Sequence, residues 1–118
     1  MYVQSRRLRT YRYEGAGVDV GGFDWDAHNR TKCQAHGVAL SEIEALFHGP
    51  VDIFPDVAHS QREERFHAFG RPAGRHIFVI YTLRTRGGHT LIRPISARYM
   101  HRKEVTYYEK EIAKTDKR

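Results

Sequence analysis

The run Ile77-Phe78-Val79-Ile80-Tyr81 constrains the fold more than any other stretch, because it is apolar on both faces of an extended chain. A strand of that kind cannot stand at a solvated edge and belongs in the middle of a sheet. Its neighbours supply that sheet. Arg65 to Gly70 and Thr90 to Ile95 read as strands flanking a His76 to Leu83 strand. The breaks between them, Pro72-Ala73-Gly74 and Arg86-Gly87-Gly88, are short enough for hairpins. A fourth strand, Val51 to Phe54, stops at Pro55-Asp56, where proline removes a ladder donor. The polar stretch from Asp56 to Glu64 reads as a loop.

Helices precede and follow these strands. Asp26 is placed to cap a helix from Ala27 to about Ala35, which stops at His36-Gly37, where glycine tolerates a left-handed cap. Ser41 starts a second helix, with Ile43, Leu46 and Phe47 on one stripe and Glu44 completing a capping box. Gly49-Pro50 ends it. A last helix spans about Met100 to Lys114, with Tyr107, Tyr108 and Ile112 turned inward. The expected class is α+β: a small antiparallel sheet of about four strands, with N-terminal helices and a C-terminal helix packed on it. At 118 residues there is room for one domain, over 23–115. Residues 1–22 read as a loosely ordered extension, where Val18 and Val20 alternate as in a short strand, and 116–118 as a tail.

Charge is unevenly spread. Residues 15–70 carry four basic and nine acidic groups, a balance of −5, whereas residues 71–109 carry eight basic and two acidic groups, a balance of +6. A basic C-terminal half suits a phosphate-bearing partner, the alternative being a merely solvated surface. No apolar run approaches the roughly 20 residues that cross a membrane. Arg6, Arg7 and Arg9 have no apolar stretch behind them, so no secretory signal is expected. The lone Cys33 excludes an internal disulfide and fits a reducing cytoplasm.

Eight histidines invite a metal reading, but no helical i, i+4 pair and no Cys-x-x-Cys supports it, so neither metal nor other cofactor is expected. Cys33, in the middle of a helix, reads as a packing residue rather than a nucleophile. Arginines are more informative. Arg93 falls inside a strand that should be largely buried, and Arg98 lies where that strand meets the last helix. A buried guanidinium needs an anion, either an internal carboxylate such as Glu64 or Glu104, or the phosphate of a ligand. Arg65, opening the neighbouring strand beside Glu64, could converge on the same patch. Two or three guanidiniums around one phosphate would stabilise the extra charge of a cleavage transition state. Lys32 and His36 share a face of the first helix, and an imidazole exchanges protons near neutral pH. For His36 the alternative is a plain helix terminus.

In order and spacing these residues resemble the BrnT family. The resemblance rests on Phe23-Asp24-Trp25-Asp26 with Asn29, Lys32, His36-Gly37-Val38 and Glu42, then on Asp56, His59-Ser60 and Glu64-Arg65-Phe66 with Gly70. It closes on Arg93-Pro94-Ile95-Ser96-Ala97-Arg98 with Arg102, Glu104 and Tyr108. It covers about Phe23 to Glu109, and departs from the family's usual pattern at Asn29, near which a lysine is usual, and at Ala35, where Lys-His-Gly would end a longer helix.

The resemblance implies a RelE-like fold and a ribonuclease toxin of a type II pair that inhibits translation. A DNA-binding antitoxin of the ribbon–helix–helix type would neutralise it, in a homodimer or a toxin–antitoxin heterotetramer. Metal-free cleavage of RNA by its own 2′-hydroxyl is the chemistry expected. Arg65, Arg93 and Arg98 would form the cradle, and His36 or Glu64 the base or acid. Lys32, Arg102 and Lys103 would hold RNA. Two readings of other classes stay open: an inactive relative that binds a protein partner, and a nucleic-acid-binding module without chemistry.

Overall fold

A computed structural model describes residues 8–11, 17–59 and 61–116. Residues 1–7 and 12–16 of the expected extension, Ser60, and residues 117–118 of the expected tail lie outside that description.

Strands β3 (Asp52–Pro55), β4 (Arg65–Gly70), β5 (Ile77–Arg86) and β6 (His89–Tyr99) form one antiparallel sheet in the order β3-β4-β5-β6. The doubly apolar run lies in β5, between β4 and β6, as its pattern requires. The β5–β6 hairpin is longer than the sequence suggests. It closes through Gly87 (φ 56°) and Gly88 (φ 81°), two left-handed positions in succession that only glycine fills cheaply. Upstream, β1 (Leu8–Tyr11) and β2 (Gly17–Val20) pair antiparallel, and β2 contains both Val18 and Val20.

One face of the sheet is covered by α1 (Ala27–Cys33) and α2 (Leu40–Leu46). Cys33, Val38, Ile43, Leu46 and Phe47 meet Phe66, Val79, Tyr81, Ile92 and Ala97 in a continuous core. Tyr81 is its centre, with Phe47 edge-on at 5.1 Å and Phe66 stacked at 5.2 Å. The third helix, α3 (Arg102–Asp116), packs on the other face, where Tyr108 stacks on Phe69 of β4.

Asp26 caps α1 as expected: its carboxylate accepts from the Asn29 amide, while the Asn29 side chain accepts from the Asp26 amide. Gly37 takes the left-handed conformation, but α1 ends earlier than expected, at Cys33. The capping box expected at Ser41 does not form. Leu40 opens α2 behind Ala39, without a side-chain cap, because the Glu44 carboxylate is taken by the Trp25 indole N–H at 2.8 Å. Tyr107, expected inward, is 68% exposed, since the half-buried stripe of α3 passes through Val105, Tyr108 and Ile112 instead.

The outer edge of β6 is sealed by the chain entering α1. Gly21 N–H donates to the Thr90 carbonyl, Ile92 N–H to the Gly22 carbonyl, and Asp24 N–H to the Ile92 carbonyl. Pro94 has no N–H to satisfy, and its carbonyl accepts from the Asn29 side chain at 2.9 Å.

Candidate active site on the open face of the sheet

Directly opposed residues of antiparallel strands point to the same face. The register therefore lays out the face turned away from α1 and α2 as three rows. The first is Arg65, Thr82 and Arg93; the second Phe54, His67, Ile80 and Ser96; the third Asp52, Phe69, Phe78 and Arg98. Arg93 and Arg98 are an odd number of residues apart and should face opposite ways in a regular strand. A register shift at Ile80/Tyr81 makes Ile95 an extra residue of β6, which returns Arg98 to the face of Arg93.

All three arginines named from sequence thus share a face, though not one point. Arg65 and Arg93 are separated by a single strand, about 10 Å between backbones, and Arg98 lies roughly 13 Å further along the sheet. Arg93 is only 12% exposed, and its Nη2 meets Asp26 at 3.0 Å while its Nη1 meets Asp24 at 3.6 Å. Its carboxylate partners are those of the Phe23-Asp24-Trp25-Asp26 segment, not Glu64 or Glu104. Asp24 also accepts from Arg86 Nε at 3.0 Å. Arg98 forms a two-point pair with Glu104, as sequence allowed, and its guanidinium carbon sits 4.9 Å above the Phe78 ring.

Glu63, absent from the sequence reading, is where guanidiniums do gather. Arg84 Nη2 lies 3.2 Å from one of its oxygens and Arg65 Nη2 3.6 Å from the other. Beside this cluster a cleft of about 560 Å³ opens, lined by Ala58, His59, Gln61, Arg62, Glu63 and Arg65.

Next to Arg65, the 4%-exposed carboxylate of Asp56 lies 3.2 Å from His67 Nε2 and 3.1 Å from His59 Nδ1. Burial pushes the Asp56 carboxyl up, but hydrogen bonds and charge from His59 and His67 outweigh it and hold the group below its ordinary value. The turn at Val57–His59 thus brings His59 to the same carboxylate that His67 of the second row meets. Nothing in the sequence groups His59 and His67 with Asp56. A polar residue at the end of β3 and a histidine within β4 were the available signal, but only the β3–β4 register joins them.

The other residues named from sequence fall elsewhere. Lys32 and His36 are exposed in the helical layer, across the sheet from Arg65. Glu64 is exposed, and its carbonyl accepts from the Thr82 hydroxyl at 2.7 Å. Arg102 and Lys103 are exposed in the first turn of α3. Among the described residues, no group of three or more His, Cys, Asp or Glu is set to hold a metal, and no helix is long and apolar enough to cross a membrane.

A family model described as ribonuclease toxin, BrnT, of type II toxin–antitoxin system matches residues 25–104. The chain belongs to the BrnT family. No curated protein matches it. The BrnT match runs from Trp25 to Glu104, so it takes in the Glu63 cluster, the Asp56 histidines and both Arg93 and Arg98. It stops at the first turn of α3, leaving Tyr107 and Tyr108 beyond it. Membership of this BrnT toxin family implies an RNA substrate and a cognate antitoxin.

Proposed function

We propose that the chain is a metal-independent endoribonuclease that halts translation in the cytoplasm and is neutralised by a ribbon–helix–helix antitoxin in a shared complex. The observation carrying this reading is that Arg65 and Arg84 already hold one anion, Glu63, beside an imidazole that Asp56 orients. A scissile phosphate takes the place of Glu63. With Asp56 accepting from Nε2–H, His67 Nδ1 is the free base and takes the proton of the ribose 2′-hydroxyl. A bond then forms from the 2′-oxygen to phosphorus, and the bond to the 5′-oxygen breaks. Solvent protonates the departing oxygen, and a 2′,3′-cyclic phosphate remains. Arg65 and Arg84 stabilise the charge that builds on the phosphoryl oxygens. Arg93 braces this face through Asp24 and Asp26, while Arg98, Arg102 and Lys103 attract the strand. The histidine role falls to His67 because the sheet separates His36 from Arg65.

A second reading, a binding module without chemistry, is favoured by one fact: Arg93 and Arg98 are both engaged by carboxylates of the protein itself. Incubation with RNA separates the two. Cleavage is expected to persist with chelator, to yield cyclic phosphate ends, and to stop when the scissile nucleotide lacks its 2′-hydroxyl. Binding without cleavage supports the module; cleavage of the deoxy-substituted strand refutes the proposed attack.

A further inference from the structure

Among the described residues three large hydrophobic side chains are exposed, and two of them, Phe54 at 41% and Tyr107 at 68%, line one groove of about 620 Å³ between α3 and the sheet. Its wall is an aromatic slab. Tyr108 stacks on Phe69 (5.2 Å, 29°), and Phe69 on Phe78 (4.9 Å, 21°). Phe54 stands edge-on to Phe69 at 5.8 Å. The hydroxyl and carboxylates of this wall are already engaged: the Tyr108 hydroxyl donates to Asp52, Glu104 is held by Arg98, and Glu111 is paired with Lys114. What is left open is an apolar slot that Lys103 and His67 also line.

We propose that this groove is a nucleobase subsite for single-stranded RNA, a reading that rests on the ribonuclease function above. A ring held here is held by aromatic and apolar contact rather than read by hydrogen bonds, so one unstacked base of any identity suits it. Its sugar–phosphate lies towards Lys103, which follows the exposed Arg102 in the first turn of α3. His67 belongs at once to this groove and, through Asp56, to the cleft of His59 and Arg65, so a base seated in one places the adjoining phosphate at the other. A base still stacked in a duplex cannot enter.

The test uses two uncleavable probes, a short 2′-O-methyl RNA strand and an abasic strand of equal length and charge, with binding followed by fluorescence anisotropy. Tyr107 is exposed, so Tyr107→Ala keeps the fold. It should weaken the base-bearing strand about 5- to 100-fold, leave the abasic strand unchanged, and raise KM for cleavable RNA with kcat retained. Tyr107→Trp should restore binding. Equal weakening of both probes, or none, overturns the subsite, as does loss of antitoxin binding alone. If the wild-type protein binds neither probe, the ribonuclease reading itself fails; if it binds both equally, that reading stands and only the subsite is lost.

Discussion

Glu104 receives Nη1 and Nη2 of Arg98, each at 2.8 Å, and so ties the first turn of α3 to the end of β6. The same carboxylate accepts the His101 amide at the helix start. The Arg98 hydrogen bonds first, and that amide second, draw its pKa from 4.5 down to about 2. A depressed carboxyl adds stability that is complete above its unfolded value and disappears as pH falls through its folded one. The melting-temperature advantage of wild type over Glu104→Gln is therefore expected to be full above pH 4.5 and to shrink to nothing towards about pH 2. A constant difference across that range, in a calorimetric series, contradicts the linkage.

Removing Arg93 leaves Asp24, 10% exposed, paired with Arg86, and takes the Arg93 ion pair from the cap residue Asp26. Arg93→Ala is expected to cost about 3 kcal/mol, as for other buried pairs broken on one side. Arg93→Lys should recover only part, because one ammonium cannot serve two carboxylates with a planar fork. Urea unfolding measures both.

Asp56 acts on the chemistry through His67. His67→Asn is expected to lower kcat about 10²- to 10⁴-fold. Asp56→Asn should lower it in the same sense by freeing the wrong nitrogen. His59→Asn should stay near wild type, because His59 is 68% exposed and carries no proton in the proposed step. Steady-state cleavage kinetics with circular dichroism on each variant decide the order, and a His59 effect as large as that of His67 would reverse it.

Gly70 closes β4 against the second helix with no room to spare. A Cβ there would stand 2.5 Å from Leu46 Cδ1 and 3.0 Å from the Pro50 carbonyl oxygen. Gly70→Ala is expected to lose about 1–3 kcal/mol through overpacking, whereas the conformation itself admits alanine. Thermal unfolding checks it.

Cys33 is fully buried, and burial, opposed by the charges of Lys32 and Arg93, raises its thiol to about 11. It should resist a thiol reagent at neutral pH in the native protein and react once the chain is unfolded in urea. Rapid native labelling would mean that α1 opens locally.

Much of the scaffold was legible because it is written in local patterns. The doubly apolar run placed β5, and the Asp26 cap placed α1. Ser41 misled because its capping box needed Glu44, and a tryptophan nineteen positions away had a better use for that carboxylate. Long-range pairing also hid the site. Ile95 as an extra residue decides which way Arg98 points, and no local pattern announces it. Asp56 and His67 meet only through the β3–β4 register, and Glu63 draws Arg84 and Arg65 from separate strands. Of the residues that carry the family likeness, many turn out to hold elements together: Asn29 to Pro94, Glu42 to Tyr99, Tyr108 to Asp52.

The sealing of β6 has a consequence for association. An exposed final strand offers a row of vacant donors and acceptors on which a second chain can grow. From Thr90 to Pro94 those positions are filled by the chain's own Gly21–Asp24 segment and Asn29, and proline withholds the last donor. Any protein that grips this one along that stretch must do so through side chains, and copies crowded together find no ladder there to extend.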